Sequence, residues 1–190
     1  LALLEPQEHP AEVAALLDQL AENSLNLGKP EDARALHNEA SMLRKESDPD
    51  DIYLEARSLL RTGRLAKAVE LLESYQPDLA GSTLPQRPQR FHREMPLLLS
   101  LIHLMLGNIA KGEKFARLGI EIGRQLDSPF VEAVGLMRMG HAAQLHPQLP
   151  WQITRLEQAR DYYLRSIDLV KPFNVVRVQV EPLWGLCRFF

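Results

Sequence analysis

Two glycines, Gly28 and Gly63, stand thirty-five residues apart, and each has small residues at the same distances on either side. The clearer copy is Asp50–Tyr75, DDIYLEARSLLRTGRLAKAVELLESY. Before the glycine, Ile52, Leu54, Leu59 and Leu60 recur at helical spacing; after it, Leu65, Ala68, Val69, Leu71 and Leu72 do the same. The pattern predicts two short amphipathic helices folded back on each other. Ala56 and Ala68 are small where the backbones must approach, and Gly63 can take the positive φ that ends the first helix. A hairpin of this size cannot bury its own apolar face, so the chain must supply neighbours of the same kind.

The neighbours are present. Ala21, Gly28, Ala33 and His37 repeat the spacing of Ala56, Gly63, Ala68 and Leu72, with Ala40 beyond. Ser100, Gly107, Gly112 and Ala116 repeat it again, followed by Gly119. A looser copy has Gly140, then Ala159, Tyr163 and Ser166 after an enlarged turn. This arrangement resembles the tetratricopeptide repeat, with its period of about 34 residues and small residues at the helix contact. The aromatic of that family's first helix is replaced by Ile52, and the phenylalanine of its second helix by His37, Leu72, Ala116 and Tyr163. The resemblance implies an all-α fold, an αα-hairpin superhelix of about four hairpins in one domain over 1–190. The repeats are expected near 11–45, 48–75, 94–126 and 128–171, with a partial repeat at 173–190.

Composition sets the class. Hydrophobic residues at 45% with 25% charged suit a folded domain, and a net charge of −3 provides no global basic field for nucleic acid or an anionic membrane. The single cysteine, Cys187, excludes an internal disulfide framework and fits a reducing, cytoplasmic setting. The longest apolar stretch, Met95–Gly107, is too short to span about 30 Å of hydrocarbon and carries His103. Leu1–Leu4 lack the features of a signal peptide and read as the last turn of a preceding helix, and the ends look cut from a longer chain.

Between Tyr75 and Met95, QPDLAGSTLPQRPQRFHR reads as an inserted loop and is the one basic concentration, with Arg87, Arg90, His92 and Arg93 around Phe91. It is either a phosphate or partner contact or a solvated connection with Phe91 tucked onto the next hairpin. The fourth repeat opens at Ser128 and Pro129, and its second helix starts near Trp151, which is expected to pack over His146–Pro150. Val175–Val180 alternates like a strand, but the repeat pattern favours a helix. That orphan helix would carry Phe173, Val176, Val180, Leu183, Trp184, Cys187 and Phe190 as one apolar stripe, with Pro182 marking a kink or a late start. Self-association through it is the expected remedy.

No catalytic constellation stands out. Gly135–Gly140 is followed by His141 and Ala142 rather than Lys and a hydroxyl residue, so it is no phosphate loop. His141 and His146 make a poor metal face with Pro147 after them, and Cys187 sits in an apolar run far from any histidine. The expectation is therefore a non-enzymatic protein with no cofactor and no metal.

Extended binding surfaces are what stacked hairpins provide. The first-helix face would present Asp18, Glu22 and Asn26 in repeat one; Tyr53, Arg57 and Arg61 in repeat two; Leu97, Leu101 and Leu104 in repeat three; and Met137, His141 and Gln144 in repeat four. A ligand with a carboxylate or phosphate beside an apolar portion would suit Arg57 and Arg61; alternatively these arginines pair with Asp18 and Glu22 across adjacent helices. The lysine-asparagine-arginine clamp of chaperone-binding repeat proteins is not matched by Asp18, Glu22, Leu97 and Leu101. The irregular repeats, with GHAAQL followed by ARDYYLRSIDLV, look like the sensor arrays of large bacterial transcription activators of the MalT type. That resemblance implies an array that binds an inducer or an inhibitory protein while separate domains hydrolyse nucleotide and bind DNA. The expected partners are a protein, a peptide or a small inducer, with no membrane and no direct nucleic-acid contact by this chain. The other expectation is a scaffold or co-chaperone-like adaptor that binds peptide segments.

Overall fold

Proline and acid side chains mark where four of the described helices begin. The computed structural model describes residues 9–44, 49–75, 90–146, 153–174 and 176–188, and among these the chain is helical with no strand. The helices are α1 (Pro10–Asn26), α2 (Pro30–Arg44), α3 (Pro49–Arg61), α4 (Leu65–Ser74), α5 (Arg90–Met105), α6 (Ile109–Gln125), α7 (Pro129–Leu145), α8 (Ile153–Val170) and α9 (Val176–Cys187), with a 3₁₀ turn at Lys171–Phe173. Pro10, Pro30, Pro49 and Pro129 open their helices, where no N–H is needed. Glu12, Glu31, Asp32, Asp50, Asp51 and Glu132 lie in first turns, against the positive end of the dipole. None of the described helices is long and apolar enough to cross a membrane.

The helices group into two compact units, Leu1–Phe91 and His92–Phe190. The first holds the hairpins α1/α2 and α3/α4. Gly28 and Gly63 lie at φ 74° and 73°, and each turn closes with a backbone bond six residues long, Lys29 N–H to the Ser24 carbonyl at 2.9 Å and Arg64 N–H to the Leu59 carbonyl at 2.8 Å. Ala14, Ala21, Ala33, Ala40, Ala56 and Ala68 are all buried, so the backbones meet where side chains are absent. Val13 and Leu17 pack on Ala40, and Leu25 packs with Ala21 and Ala33.

The second unit repeats the device. Gly107 lies at φ 76° between α5 and α6, and Asn108 N–H reaches the His103 carbonyl at 2.8 Å. The Ser100 hydroxyl donates to the Gly112 carbonyl at 2.8 Å, and the Ser166 hydroxyl to the Ala133 carbonyl at 2.8 Å, so each buried hydroxyl spans a pair of helices. Between α6 and α7 the same turn is made by Asp127 at φ 48°, closed by Ser128 N–H on the Gly123 carbonyl at 2.8 Å. α7 lies between α6 and α8, with Gly135 against Ala116 and Ile120 on one side and Gly140 against Tyr163 on the other.

Two boundaries differ from expectation. The inserted loop ends earlier than expected, because α5 starts at Arg90 rather than near Met95 and carries Pro96 inside it. The reason lies in α3: the Phe91 N–H donates to the Asp50 carboxylate at 2.6 Å, so a side chain distant in sequence caps this helix. Phe91 is buried and meets Tyr75 of the preceding hairpin edge-on at 5.7 Å. At the other end α9 is helical from Val176, as the repeat pattern favoured over the strand-like alternation of its valines. The suggested late start at Pro182 is overturned too, since Pro182 lies inside the helix and is buried. The turn expected under Trp151, the Leu1–Leu4 turn, Arg87 and Phe190 lie outside the described residues.

Ala68 is fully buried on α4. Ala68→Leu is expected to lower stability by about 1 to 3 kcal/mol through overpacking, read as a shift of the urea midpoint at unchanged slope.

Candidate functional site

In the first unit the polar side chains of the first helices fall into two clusters. Glu22 on α1 and Arg57 on α3 follow the small contact residues Ala21 and Ala56, so they hold the same place in successive hairpins and meet as an ion pair. Arg90, the first residue of α5, brings its Nη1 to 2.9 Å from the Glu22 Oε1. Both guanidinium groups lie over the Tyr53 ring, with their carbons 5.7 Å (Arg57) and 5.1 Å (Arg90) from its centroid. Burial pushes the Glu22 carboxyl up, but the hydrogen bond and charge of Arg57, with Arg90 behind it, outweigh burial and hold the group below its usual range. The result is one carboxylate gripped by two arginines on an aromatic floor. Asn26 and Arg61 are exposed at the last positions of α1 and α3.

Asp18 joins the second cluster. Its carboxylate pairs with Arg44 and lies 3.2 Å from His37 Nδ1. Arg44 also pairs with Asp51, whose other oxygen accepts from the Ser41 hydroxyl at 2.7 Å. His37 Nε2 donates to the main-chain carbonyl of Asp51 at 3.0 Å. Ligand atoms of Asp18, His37 and Asp51 lie within 4.8 Å of one another, a spacing that could suit a metal ion. The Arg44 guanidinium, however, already serves both carboxylates, so the chemistry of the cluster is that of a closed ion-pair network. Beside it, α2 and α3 part to leave a cavity of about 490 Å³, floored by Ala21, Leu25 and Ala33 and walled by His37, Asp51 and Ile52. That volume is in the range of small-molecule pockets.

In the second unit, the face expected to be open is largely covered. Leu97 and Leu104 are buried over Gly119 and Gly112 of α6, which corrects their assignment to an exposed groove; Leu101 is half-buried. Met137 is buried with Ala143, Ala159 and Tyr163, and likewise offers no groove surface. His141 and Gln144 are half-buried beneath α9. The Tyr163 hydroxyl donates to Gln144 Oε1 at 2.9 Å, and Gln144 Nε2 donates to the Gly185 carbonyl at 3.1 Å. The His141 ring meets Tyr163 at 5.5 Å, and its Nδ1 is 3.3 Å from Arg138 Nη1. Arg138 in turn donates to Glu181 Oε1 at 2.6 Å. Burial first, then the Arg138 charge, push His141 down to about 4, against the opposing pull of Glu181. Burial raises the Tyr163 hydroxyl.

His37, Arg44 and Arg138 were not singled out by sequence as parts of these sites, and Arg90 was named as part of a basic contact segment but not as a partner of Glu22. His37 did carry a signal: it stands where the other hairpins place Leu72 or Tyr163, and a histidine at a core position needs polar partners. No protein-family model matches the sequence, and no curated protein resembles it significantly.

Removing the Arg44 guanidinium would leave Asp18 and Asp51 facing each other. Arg44→Ala is expected to cost about 3 kcal/mol, whereas Arg61→Ala at its exposed helix end should stay within about 0.5 kcal/mol; denaturant titration of both variants checks the contrast. His141 adds a pH dependence. Its folded value of about 4 lies below the ordinary 6.5, so its contribution is complete above pH 6.5 and is lost as pH falls toward 4. The neighbouring charged groups are Arg138 on α7 and Glu181 and Arg188 on the α9 side. Thermal melts across that range should show the loss in the wild type and a smaller one in His141→Gln.

Proposed function

We propose that the chain is a non-enzymatic binding module that takes an anionic group of a protein or peptide partner on the first-helix face of its first unit. The observation that carries this reading is the convergence of Arg57 and Arg90 on Glu22 above Tyr53. A ligand carboxylate set beside an apolar residue can replace Glu22 without bringing a new charge into the cluster, and guanidinium groups bind carboxylates with geometry that ammonium groups do not match. Support for the non-enzymatic reading comes from the way the polar clusters close on themselves, Arg44 with Asp18 and Asp51, and Arg138 with Glu181.

The finer reading is the sensor region of a bacterial transcription regulator built of tetratricopeptide-like repeats of the MalT type. The cavity between α2 and α3 favours it over a plain peptide adaptor, because a small inducer would fit there beside His37 and Asp51. The intact gene tests this reading: a nucleotide-binding motif upstream and a helix-turn-helix downstream are expected, and a catalytic domain in their place would overturn it.

Binding of a pool of apolar hexapeptides with free carboxyl termini, followed by fluorescence polarisation against the same pool amidated, tests the anion site. The free acids are expected to bind better, Glu22→Gln to tighten them by about tenfold and Arg57→Ala to abolish the difference. Equal binding of acid and amide would sink the proposal.

A further inference from the structure

We propose that the face of α7 and α8 beneath α9 is a helix-docking site specific for a glutamate followed four residues later by a glycine, and that α9 is its releasable resident ligand. The inference concerns the second unit and does not depend on the anion site of the first.

The site is built around a buried cation. Arg138 is 8% exposed, its Nη1 donates to Glu181 at 2.6 Å, and its Nε makes no hydrogen bond among the described residues. A buried guanidinium demands a carboxylate, and the one it meets is delivered by α9. One helical turn further along, the docked helix is recognised a second time. Gln144, oriented by the Tyr163 hydroxyl, donates to the main-chain carbonyl of Gly185, and a Cβ at Gly185 would stand 2.6 Å from Tyr163 Cζ. The tyrosine ring is thus closed between Gly140 of its own hairpin and Gly185 of the visitor. A carboxylate at one position and a missing side chain four residues on form a readable code, because those positions share a helix face. Leu186 adds an apolar contact to the cluster of Met137, Ala143, Ala159 and Tyr163.

The occupant is poorly matched to permanent residence. Its outward face carries Val176, Val180, Leu183 and Trp184, with Trp184 65% exposed, an apolar patch of the kind that a permanently docked surface helix rarely leaves open. Pro182 inside α9 removes an N–H from its ladder. The helix is joined to α8 through the short 3₁₀ turn and Asn174 at φ 51°. The partner that competes with α9 is accordingly a helix that offers the same glutamate and glycine on one face and a polar face outside.

The test uses the whole chain and, as probe, a fluorescein-labelled peptide of residues 174–188. In the wild type the tethered α9 competes at an effective concentration in the millimolar range, and the peptide binds weakly. Glu181→Lys and Gly185→Val each evict α9 without touching the receptor face, and each is expected to raise peptide affinity by about tenfold or more. Adding Arg138→Met should cancel that gain, and a peptide with Glu181→Gln should bind about tenfold less well. Binding no tighter to the evicted chains than to wild type, or indifferent to the peptide carboxylate, overturns the proposal. So does loss of helical circular dichroism in α1 to α8 for both variants, which would make α9 an integral part of the unit. Wild-type dimers in sedimentation that disappear in Gly185→Val would assign the site to α9 of a second copy and overturn the assignment to a foreign helix.

Discussion

The hairpins of this chain depend on backbones that approach where there is almost no side chain between them. Ala21 against Ala33, Gly112 beneath Leu104, Gly135 against Ala116 and Gly140 against Tyr163 are instances of one constraint. Close approach multiplies weak dispersion contacts and removes apolar surface from water over the whole length of a helix pair, so a single methyl group in the wrong place is felt along the interface. The constraint also explains the buried serines. A hydroxyl is as small as the contact allows, and Ser100 and Ser166 are tolerated because each reaches a carbonyl on the facing helix.

Because the constraint recurs with a fixed spacing, it also places charges. Residues that follow the small contact positions in successive hairpins become neighbours, which is how Glu22 and Arg57 meet. This much was legible in the sequence: the helices and the glycine turns at Gly28, Gly63 and Gly107 follow from periodicity, and Arg57 as a partner for an acid on α1 was one of the two readings it left open. Local sequence failed where a distant residue made the decision. Nothing near Arg90 announces a helix start, since the cap is Asp50, and nothing near Arg44 announces that it will bridge Asp18 and Asp51. Both outcomes require knowing which helices touch before knowing what the side chains do.

The same limit misplaced the leucines of α5. Leu97 and Leu104 have helical spacing that suits either side of the helix, and periodicity alone does not say which stripe meets the partner. The glycines of α6 decide it. Gly112 and Gly119 leave hollows that only a large side chain from the facing helix can fill, so Leu104 and Leu97 turn inward and the apolar groove expected there is already occupied.

α9 takes the argument one step further, because the residues that fit it to its neighbours are poor helix formers. Gly185 and Pro182 both lie on its buried side; in an exposed helix interior glycine costs about 1 kcal/mol and proline about 3 kcal/mol relative to alanine. The β-branched run Val176, Val178 and Val180 adds no intrinsic preference for helix. Helicity in this segment therefore comes from its contacts, the Glu181 carboxylate on Arg138, the Gly185 carbonyl on Gln144 and Leu186 among the core side chains, rather than from its own sequence. Away from those contacts the segment would lose its helix along with its place, so docking and folding of α9 are a single event, and whatever competes for Arg138 competes with the helix itself.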